Sequence, residues 1–528
     1  MADTASRFDI ALRAYLGLLW HKSSLARAGI DSRGEQRTSG RIVNSGEKMT
    51  QTFCKTLFLS PPSFEGFDGG AGSRYQCKRE VRSFWYPTWL AQLAALVPDS
   101  TLIDGPAGGY TLDQIIPEAL KHEVLIVYTS TPTFENDVQV AGALKEANPD
   151  LLIGFCGAHV VVRWKETLTE HPNIDFVCDK EFDFTIKEVC EGRPLADVMG
   201  LYYRDGDEIK FTGPRAIIHD MDTLPWVTPV YKKFLDPKNY YNGYMLHPYM
   251  SIYTGRGCKS RCTYCLWPQT ISGHNYRTRS VENIAKEVEY ARDAFPEVKE
   301  FFFDDDTLTD NIEHVEALAK ELGKLGVTWS CNAKANVPRK TLEVLKENGL
   351  RLLLVGYESG NQKILNNMKK GVRLDFARQF TQDCHDLGVV IHGCFIMGLP
   401  GETQDTIQET IAYAKEINPR TIQVSLPATY PGTFLYEQAI ENGWLQTEEV
   451  TEGLVTDSGT QESVLSYPHL SKDEIFDAVE VFYKKFYFRP GKMAQLTVDM
   501  FRDVDVMKRQ LREGKEFFKF LWGRENPA

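Results

Sequence analysis

At 528 residues the chain is long enough for two or three domains with full cores, and its 42% hydrophobic and 25% charged residues are ordinary for a globular protein. A net charge of −12 and a pI near 5.5 argue against nonspecific nucleic-acid binding, and no apolar run is long enough to cross a bilayer. The 11 cysteines are an odd number with no convincing secretory signal, which points to a reducing, cytoplasmic compartment and to free or metal-bound thiols.

Residues 1–50 differ from the rest. Phe8 to Trp20 is a short amphipathic patch, read as part of a flexible extension in preference to a membrane-surface helix. Met49 stands just ahead of the first strand and is a second candidate for the natural start.

Residues 51–200 alternate strand and helix. KTLFLS (55–60), TLID (101–104), VLIVYTS (124–130), LLIGFCG (151–157) and DFVCD (175–179) are short and apolar, with helical stretches between most of them. That pattern predicts a doubly wound parallel sheet whose ligands bind beyond the carboxyl ends of its strands. The loops there are 60–74, with the glycines of FDGGAG, then 129–136 and 157–161; no GxGxxG signature is present. Residues 201–245 read as a linker, opening with a hairpin around Asp205-Gly206 and then punctuated by prolines and tyrosines.

A second βα series fills residues 246–450, with strands expected at 250–254, 300–305, 328–333, 351–358, 389–400 and 421–427. Six strands with right-handed crossovers make a partial (β/α)6 barrel, with its chemistry at the carboxyl ends of the strands. Residues 451–528 are expected to be mostly helical.

The loop after the first barrel strand carries CKSRCTYC, with Cys258, Cys262 and Cys265. Three thiolates leave one iron of a four-iron cluster open to another ligand. Zinc with His274 as fourth ligand, or three structural cysteines, are the alternatives.

At these residues the chain resembles the radical S-adenosylmethionine (SAM) superfamily, with Tyr264 in the aromatic slot of its three-cysteine signature. The resemblance implies a [4Fe-4S] cluster whose open iron binds SAM and cleaves it to a 5′-deoxyadenosyl radical. FFFDDDTLTDN (301–311) resembles the acidic motif after the second strand, which implies Asp305 or Asp306 at the SAM amino group. GYESGNQKIL (356–365) implies Glu358 and Ser359 near the ribose or carboxylate. FIMGLPGET (395–403) implies backbone atoms of Gly398, Leu399 and Pro400 at the adenine, and YPGT (430–433) resembles the loop after the sixth strand.

A doubly wound domain ahead of such a barrel resembles the cobalamin-binding subclass, on Pro61-Pro62, YPTWLAQLAAL (86–96) and GAHVV (157–161). Pro-Thr-Trp replaces its usual Pro-Leu-Gly, Asp-Lys-Glu-Phe (179–182) replaces its Gly-Glu-x-Glu, and the Asp-x-His-x-x-Gly cobalt motif is absent. Cobalamin is therefore a candidate cofactor, with His159 either facing cobalt or serving the turn.

The segments 61–76, 84–92 and 265–280 are most similar to the hopanoid-biosynthesis-associated radical SAM proteins of the J type. That resemblance implies conversion of glucosaminyl bacteriohopanetetrol to the cyclitol ether by radical ring contraction. Implied partners are the hopanoid lipid and an electron donor such as flavodoxin or ferredoxin. A hopanoid is embedded in a bilayer, so the enzyme would meet it at the surface of the inner membrane; aromatic segments 239–250, 481–493 and 516–524 are candidates for that peripheral contact, with ordinary helix packing against the barrel as the alternative. Cys331 and Cys394 fall on barrel strands and are candidate hydrogen-atom donors, with buried core cysteine as the alternative. The other readings are a cobalamin-dependent radical SAM methyltransferase on an unactivated carbon and a non-catalytic cobalamin or metal sensor.

Overall fold

The computed structural model describes residues 53–62, 83–445, 463–500 and 514–515. The patch Phe8–Trp20, the glycine loop 67–72 and the aromatic run 516–524 lie outside them.

Short apolar strands separated by helices fold, as expected, into a parallel sheet. β1 (Thr56–Ser60), β2 (Ser100–Asp104), β3 (Val124–Tyr128), β4 (Leu152–Cys156) and β5 (Phe176–Cys178) run parallel in the order 2-1-3-4-5. The order reverses between β1 and β3, where such sheets open a ligand crevice. The hairpin of β6 (Leu201–Asp205) and β7 (Glu208–Phe211) extends the sheet antiparallel from the edge of β5. The region expected to be a linker thus begins as part of the first domain.

Alternating residues of the strands feed two cores. Leu57, Leu59, Leu125, Val127, Ile153 and Phe155 face one side of the sheet. Phe58, Ile126 and Tyr128 face the other, where the core continues without a break into that of the barrel.

The barrel begins with β8 (Tyr249–Ile252). A two-stranded antiparallel ribbon, β9 (Gly255–Arg256) with β10 (Arg277–Thr278), brackets the cysteine loop. β11 (Glu300–Phe303), β12 (Trp329–Lys334), β13 (Leu350–Glu358), β14 (Val390–Ile396) and β15 (Thr421–Ser425) follow, and the six long strands pair in parallel in chain order from β8 to β15. The partial barrel is the one expected.

An incomplete barrel leaves two open edges. The edge at β15 is covered by the helix Lys472–Tyr487, which starts at a Ser471/Glu474 capping box and buries Ile475, Val479, Phe482, Tyr483 and Phe486. Its Tyr483 hydroxyl accepts from the Val424 N–H at 2.8 Å and its Tyr487 hydroxyl from the Ile422 N–H at 2.9 Å. Side-chain oxygens thereby replace the missing neighbouring strand.

Of the two readings of the aromatics in 239–250 and 481–493, packing prevails over membrane contact for most: Tyr240, Tyr249, Phe482, Tyr483 and Phe486 are buried, while Phe488 is exposed. Among the described residues no helix is long and apolar enough to cross a membrane.

Buried ion pairs join the two domains. Asp183 receives both Nη atoms of Arg256 at 2.6 and 2.9 Å, and Glu181 receives those of Arg277 at 2.6 and 2.9 Å. The Arg256 guanidinium also lies 4.4 Å from the Trp89 ring centroid, and Trp89 packs edge-on against Trp267 of the cysteine loop. The segment 179–182, which departs from the subclass pattern, therefore supplies one of the two carboxylates that hold the barrel. Tyr86 and Tyr249 donate reciprocally, to the carbonyls of Tyr249 and Phe84, each at 2.9 Å.

Candidate active site

The cysteine loop is shaped by side-chain bonds to its own backbone. Gln269 Nε2 donates to the carbonyls of Cys262, Thr263 and Cys265 at 3.2, 3.2 and 2.7 Å. His274 Nδ1 lies 2.8 Å from the Ser260 carbonyl and 3.3 Å from that of Cys258, so the candidate zinc ligand serves the loop. Cys258 and Cys262 are buried, Cys265 is half-buried, all three are free thiols, and all three line one cavity of about 590 Å³. Among the described residues no three Cys, His, Asp or Glu side chains converge on the position of a single metal ion. A four-iron cluster needs no such convergence, because each thiolate binds a different iron. Zinc needs its donors gathered around one point, so the donor set fits the cluster and not zinc.

The cavity is the lumen of the partial barrel. Strand register sorts its walls into layers. Asn332, Leu354, His392 and Thr421 stand opposite one another across β12 to β15, with Asp304 hydrogen-bonded to Asn332 at 3.2 Å. Two residues further along come Lys334, Gly356, Cys394 and Gln423. Glu358 closes the stack toward the cysteine loop, and all of these residues line the cavity. A full barrel fills such layers with bulky apolar side chains. Here they are mostly polar and leave space.

At the carboxyl end Lys370 pairs with Glu358 at 2.6 Å, and both are largely buried. Glu358 is one of four described non-glycine residues with positive φ, at 61°. Gly356 makes room for the pair, since a Cβ there would meet Glu358 Oε1 at 2.4 Å and Lys370 Nζ at 2.7 Å. Lys334 pairs with Asp310 at 2.6 Å, and an Asp310 oxygen lies 3.8 Å from Cys258 Sγ. Burial pushes the Cys262 thiol up, and the Lys370 ammonium opposes that shift.

The sequence-based site residues divide on this geometry. Tyr264, Asp306, Glu358 and Cys394 line the cavity with the three cysteines. Asp305 does not: it is fully buried and accepts from Thr254 N and from Tyr276 Oη, both at 2.6 Å, and from Thr254 Oγ1. Burial, opposed by those bonds, pushes its carboxyl up to about 6. Ser359 is buried against Thr410 Oγ1 at 3.2 Å. The N–H groups of Gly398 and Leu399 donate to buried Glu402 at 2.6 and 3.0 Å, and the Pro400 carbonyl accepts from Asn367 at 3.5 Å; none of the three lines the cavity. Cys331 is fully buried behind β12, where desolvation drives its thiol far up, leaving Cys394 as the candidate donor that lines the lumen.

Sequence reasoning missed Gln269, Lys334, Lys370, Asn332 and Glu402. For Asn332 and Lys334 a signal existed: polar residues alternate with apolar ones along the strand, at Ser330, Asn332 and Lys334, and mark one face. The other three act through loop contacts that leave no periodic trace.

Comparison with known proteins follows this geometry. The family model of the radical SAM superfamily matches residues 252–414, from β8 to the helix after β14. An uncharacterized methyltransferase of Pyrococcus horikoshii is 28% identical over 448 residues, covering 82% of this chain and 94% of that one. The anaerobic magnesium-protoporphyrin IX monomethyl ester cyclase of Rubrivivax gelatinosus is 25% identical, covering 73% of this chain and 70% of its own length. Among solved structures, the radical SAM methyltransferase TsrM of Kitasatospora setae, with cobalamin and a [4Fe-4S] cluster bound, matches with TM-score 0.61 at 14% identity, over 83% of this chain and 90% of that chain. The cobalamin-dependent SAM radical enzyme OxsB matches with TM-score 0.61 at 15% identity, over 90% of this chain and 72% of that chain. Three free thiols thus stand at the mouth of a partial barrel whose residues 252–414 match the radical SAM superfamily, a domain that implies a [4Fe-4S] cluster and SAM.

Proposed function

We propose that the protein performs radical chemistry on an unactivated carbon of a large substrate held in the barrel lumen, and that the reaction is methyl transfer with cobalamin carried by the N-terminal domain. The observation that carries the reading is the lumen itself, about 590 Å³ of space opening directly onto the three thiols. When bound, the cluster and SAM supply a 5′-deoxyadenosyl radical and cobalamin supplies a methyl carrier. Cys258, Cys262 and Cys265 would ligate the cluster. Asp306 and Glu358, at the carboxyl ends of β11 and β13, would face the SAM amino acid or ribose, with Tyr264 beside them. At the carboxyl end of β3 the buried hydroxyls of Thr129, Thr131 and Thr133 bond to Ser130, His159 and Asp137 respectively. His159 lies there with Nδ1 3.1 Å from Thr131 Oγ1 and its ring 4.3 Å from that of Phe134, and burial holds it neutral, with a pKa near 3. We assign it to the turn and not to cobalt. The Pyrococcus methyltransferase, matched along nearly its whole length, supports the methyl-transfer reading.

A second reading is contraction of the sugar ring of glucosaminyl bacteriohopanetetrol to the cyclitol ether, at a bilayer surface. It is supported by segments 61–76, 84–92 and 265–280, and by the cavity's lip, where Phe488 and Met493 line the lumen yet are 46% and 52% exposed. An apolar lip gives an amphiphile a way in. In this reading Cys394 gives a hydrogen atom to the product carbon radical: its S–H bond breaks, a C–H bond forms, and one electron and one proton from a flavodoxin- or ferredoxin-class reductant restore the thiol.

The deciding experiment is anaerobic reconstitution followed by SAM labelled with a trideuteromethyl group, reductant and glucosaminyl bacteriohopanetetrol, with mass spectrometry of nucleoside and lipid. Methyl transfer yields a labelled lipid. Ring contraction yields unlabelled cyclitol ether, and Cys394→Ala loses that product while 5′-deoxyadenosine still forms. No SAM cleavage by the cluster-loaded protein overturns both and leaves a sensor.

A further inference from the structure

The cysteine loop is a thin partition with two faces. Cys258, Ser260 and Cys262 line the lumen, while Lys259 and Arg261 between them are exposed to solvent. Such alternation belongs to extended chain, whose successive side chains point to opposite sides. Two cations therefore stand on the outer face, directly behind the thiols.

A third stands beside them. Lys369 is held in the left-handed region at φ 56°, with its carbonyl 4.0 Å from Cys262 Sγ and its side chain exposed. Its Nζ lies 4.7 Å from the ring centroid of Phe434, which is 45% exposed. Hydrogen bonds join the three segments into one surface. The Thr263 N–H donates to the Met368 carbonyl, the Leu435 N–H to the Thr263 carbonyl and the Phe434 N–H to Gln269 Oε1, each at 3.0 Å. Lys259 Nζ reaches the Asp310 carbonyl at 3.0 Å, while the Asp310 carboxylate is held by Lys334. Among the described residues no carboxylate pairs with Lys259, Arg261 or Lys369. The exposed acids Glu437 and Glu441 sit further along the helix Phe434–Glu441. On a chain of net charge −12, three unpaired cations around an exposed ring are a local reversal of sign.

We infer that this outer face of the cysteine loop is the docking surface for a small acidic one-electron carrier protein. An electron enters a buried cluster from a donor seated close to it. The lumen side of the loop is given to substrate, and the outer face puts solvent one residue away from two of the thiols. Charge steers an acidic carrier to Lys259, Arg261 and Lys369, and Phe434 gives it an apolar contact to bury. One electron leaves the carrier and enters the cluster, and no bond forms or breaks. This deepens the proposed function: it rests on a cluster held by Cys258, Cys262 and Cys265, and on neither methyl transfer nor ring contraction.

The test reads reduction of the cluster and not turnover. Cluster-loaded full-length protein is mixed anaerobically with flavodoxin hydroquinone, and bleaching of the cluster's visible absorbance is followed by stopped flow at low and high salt. The wild-type rate constant is expected to fall steeply with salt. Combining Arg261→Glu with Lys369→Glu should lower it about tenfold at low salt and flatten its salt dependence. Dithionite, which needs no docking surface, should reduce wild type and double variant equally, showing that the variant's cluster is intact. Lys415→Glu, an exposed position in the last turn of the helix Gln404–Ile417 at the amino end of the barrel, should leave the rate unchanged. Equal rates for wild type and double variant at every salt concentration overturn the surface. An equal loss in Lys415→Glu does so too, since the effect would then be one of net charge. A loaded cluster that flavodoxin does not reduce overturns the surface alone, whereas a protein that takes up no iron overturns the cluster and the surface together.

Discussion

Glu402 ties the site to pH. It is fully buried, its Oε2 accepts both N–H groups of Gly398 and Leu399, and its Oε1 is unpartnered among the described residues. Burial, opposed by those two N–H groups, lifts its pKa from 4.5 to about 7. The folded state therefore holds this proton longer than the unfolded chain does. Its contribution is most favourable below about pH 4.5, declines as pH rises, and is at its least above about 7. Replacing Glu402 by Gln should remove that decline, so the variant gains on the order of 3 kcal/mol relative to wild type between pH 4 and pH 8. Urea unfolding at the two pH values measures it; parallel curves for variant and wild type would mean that the carboxyl ionises freely in the fold. The sequence marks this stretch as a strand-end motif, and FIMGLPGET was read for its backbone. It does not say that the glutamate three to four residues on folds back to occupy those N–H groups. Nor does it distinguish Asp305 from Asp306, because adjacent residues at a strand end point in different directions and only the fold decides which one meets the lumen.

The strands themselves were legible, each within a few residues, because a run of buried apolar residues between helices needs nothing beyond the local pattern. Pairing at sheet edges was not. The hairpin of β6 and β7 was visible as a hairpin, yet its attachment to β5 depends on a free edge that the local sequence does not describe. The same holds for the helix Lys472–Tyr487, whose aromatics suit either a lipid surface or packing on the barrel and take the second. Its two hydroxyls make a sharp test. Tyr483→Phe and Tyr487→Phe each leave one N–H of β15 without its acceptor, costing about 1–3 kcal/mol. Amide hydrogen exchange should accelerate at Val424 in the first variant and at Ile422 in the second. Unchanged protection would mean that water or another group already serves the edge.

At the scale of the whole molecule, two domains read separately from the sequence behave as one body, with a common core and arginines of the barrel inserted beside acids of the sheet. Glu181→Ala leaves Arg277 buried without its carboxylate and should cost about 3–5 kcal/mol. Thermal unfolding should remain a single transition at lower temperature; two separated transitions would show that the domains hold independently. The tyrosine-sealed strand has a further consequence for biogenesis. When a ribosome has delivered the chain only as far as Ser425, the last barrel strand is complete but its outer flank is bare, and the helix that covers it is still to be made. That interval exposes a row of backbone donors and acceptors to any other nascent chain nearby. A truncation ending before Ser471 should keep that hazard permanently and accumulate in inclusion bodies, where the full-length protein does not.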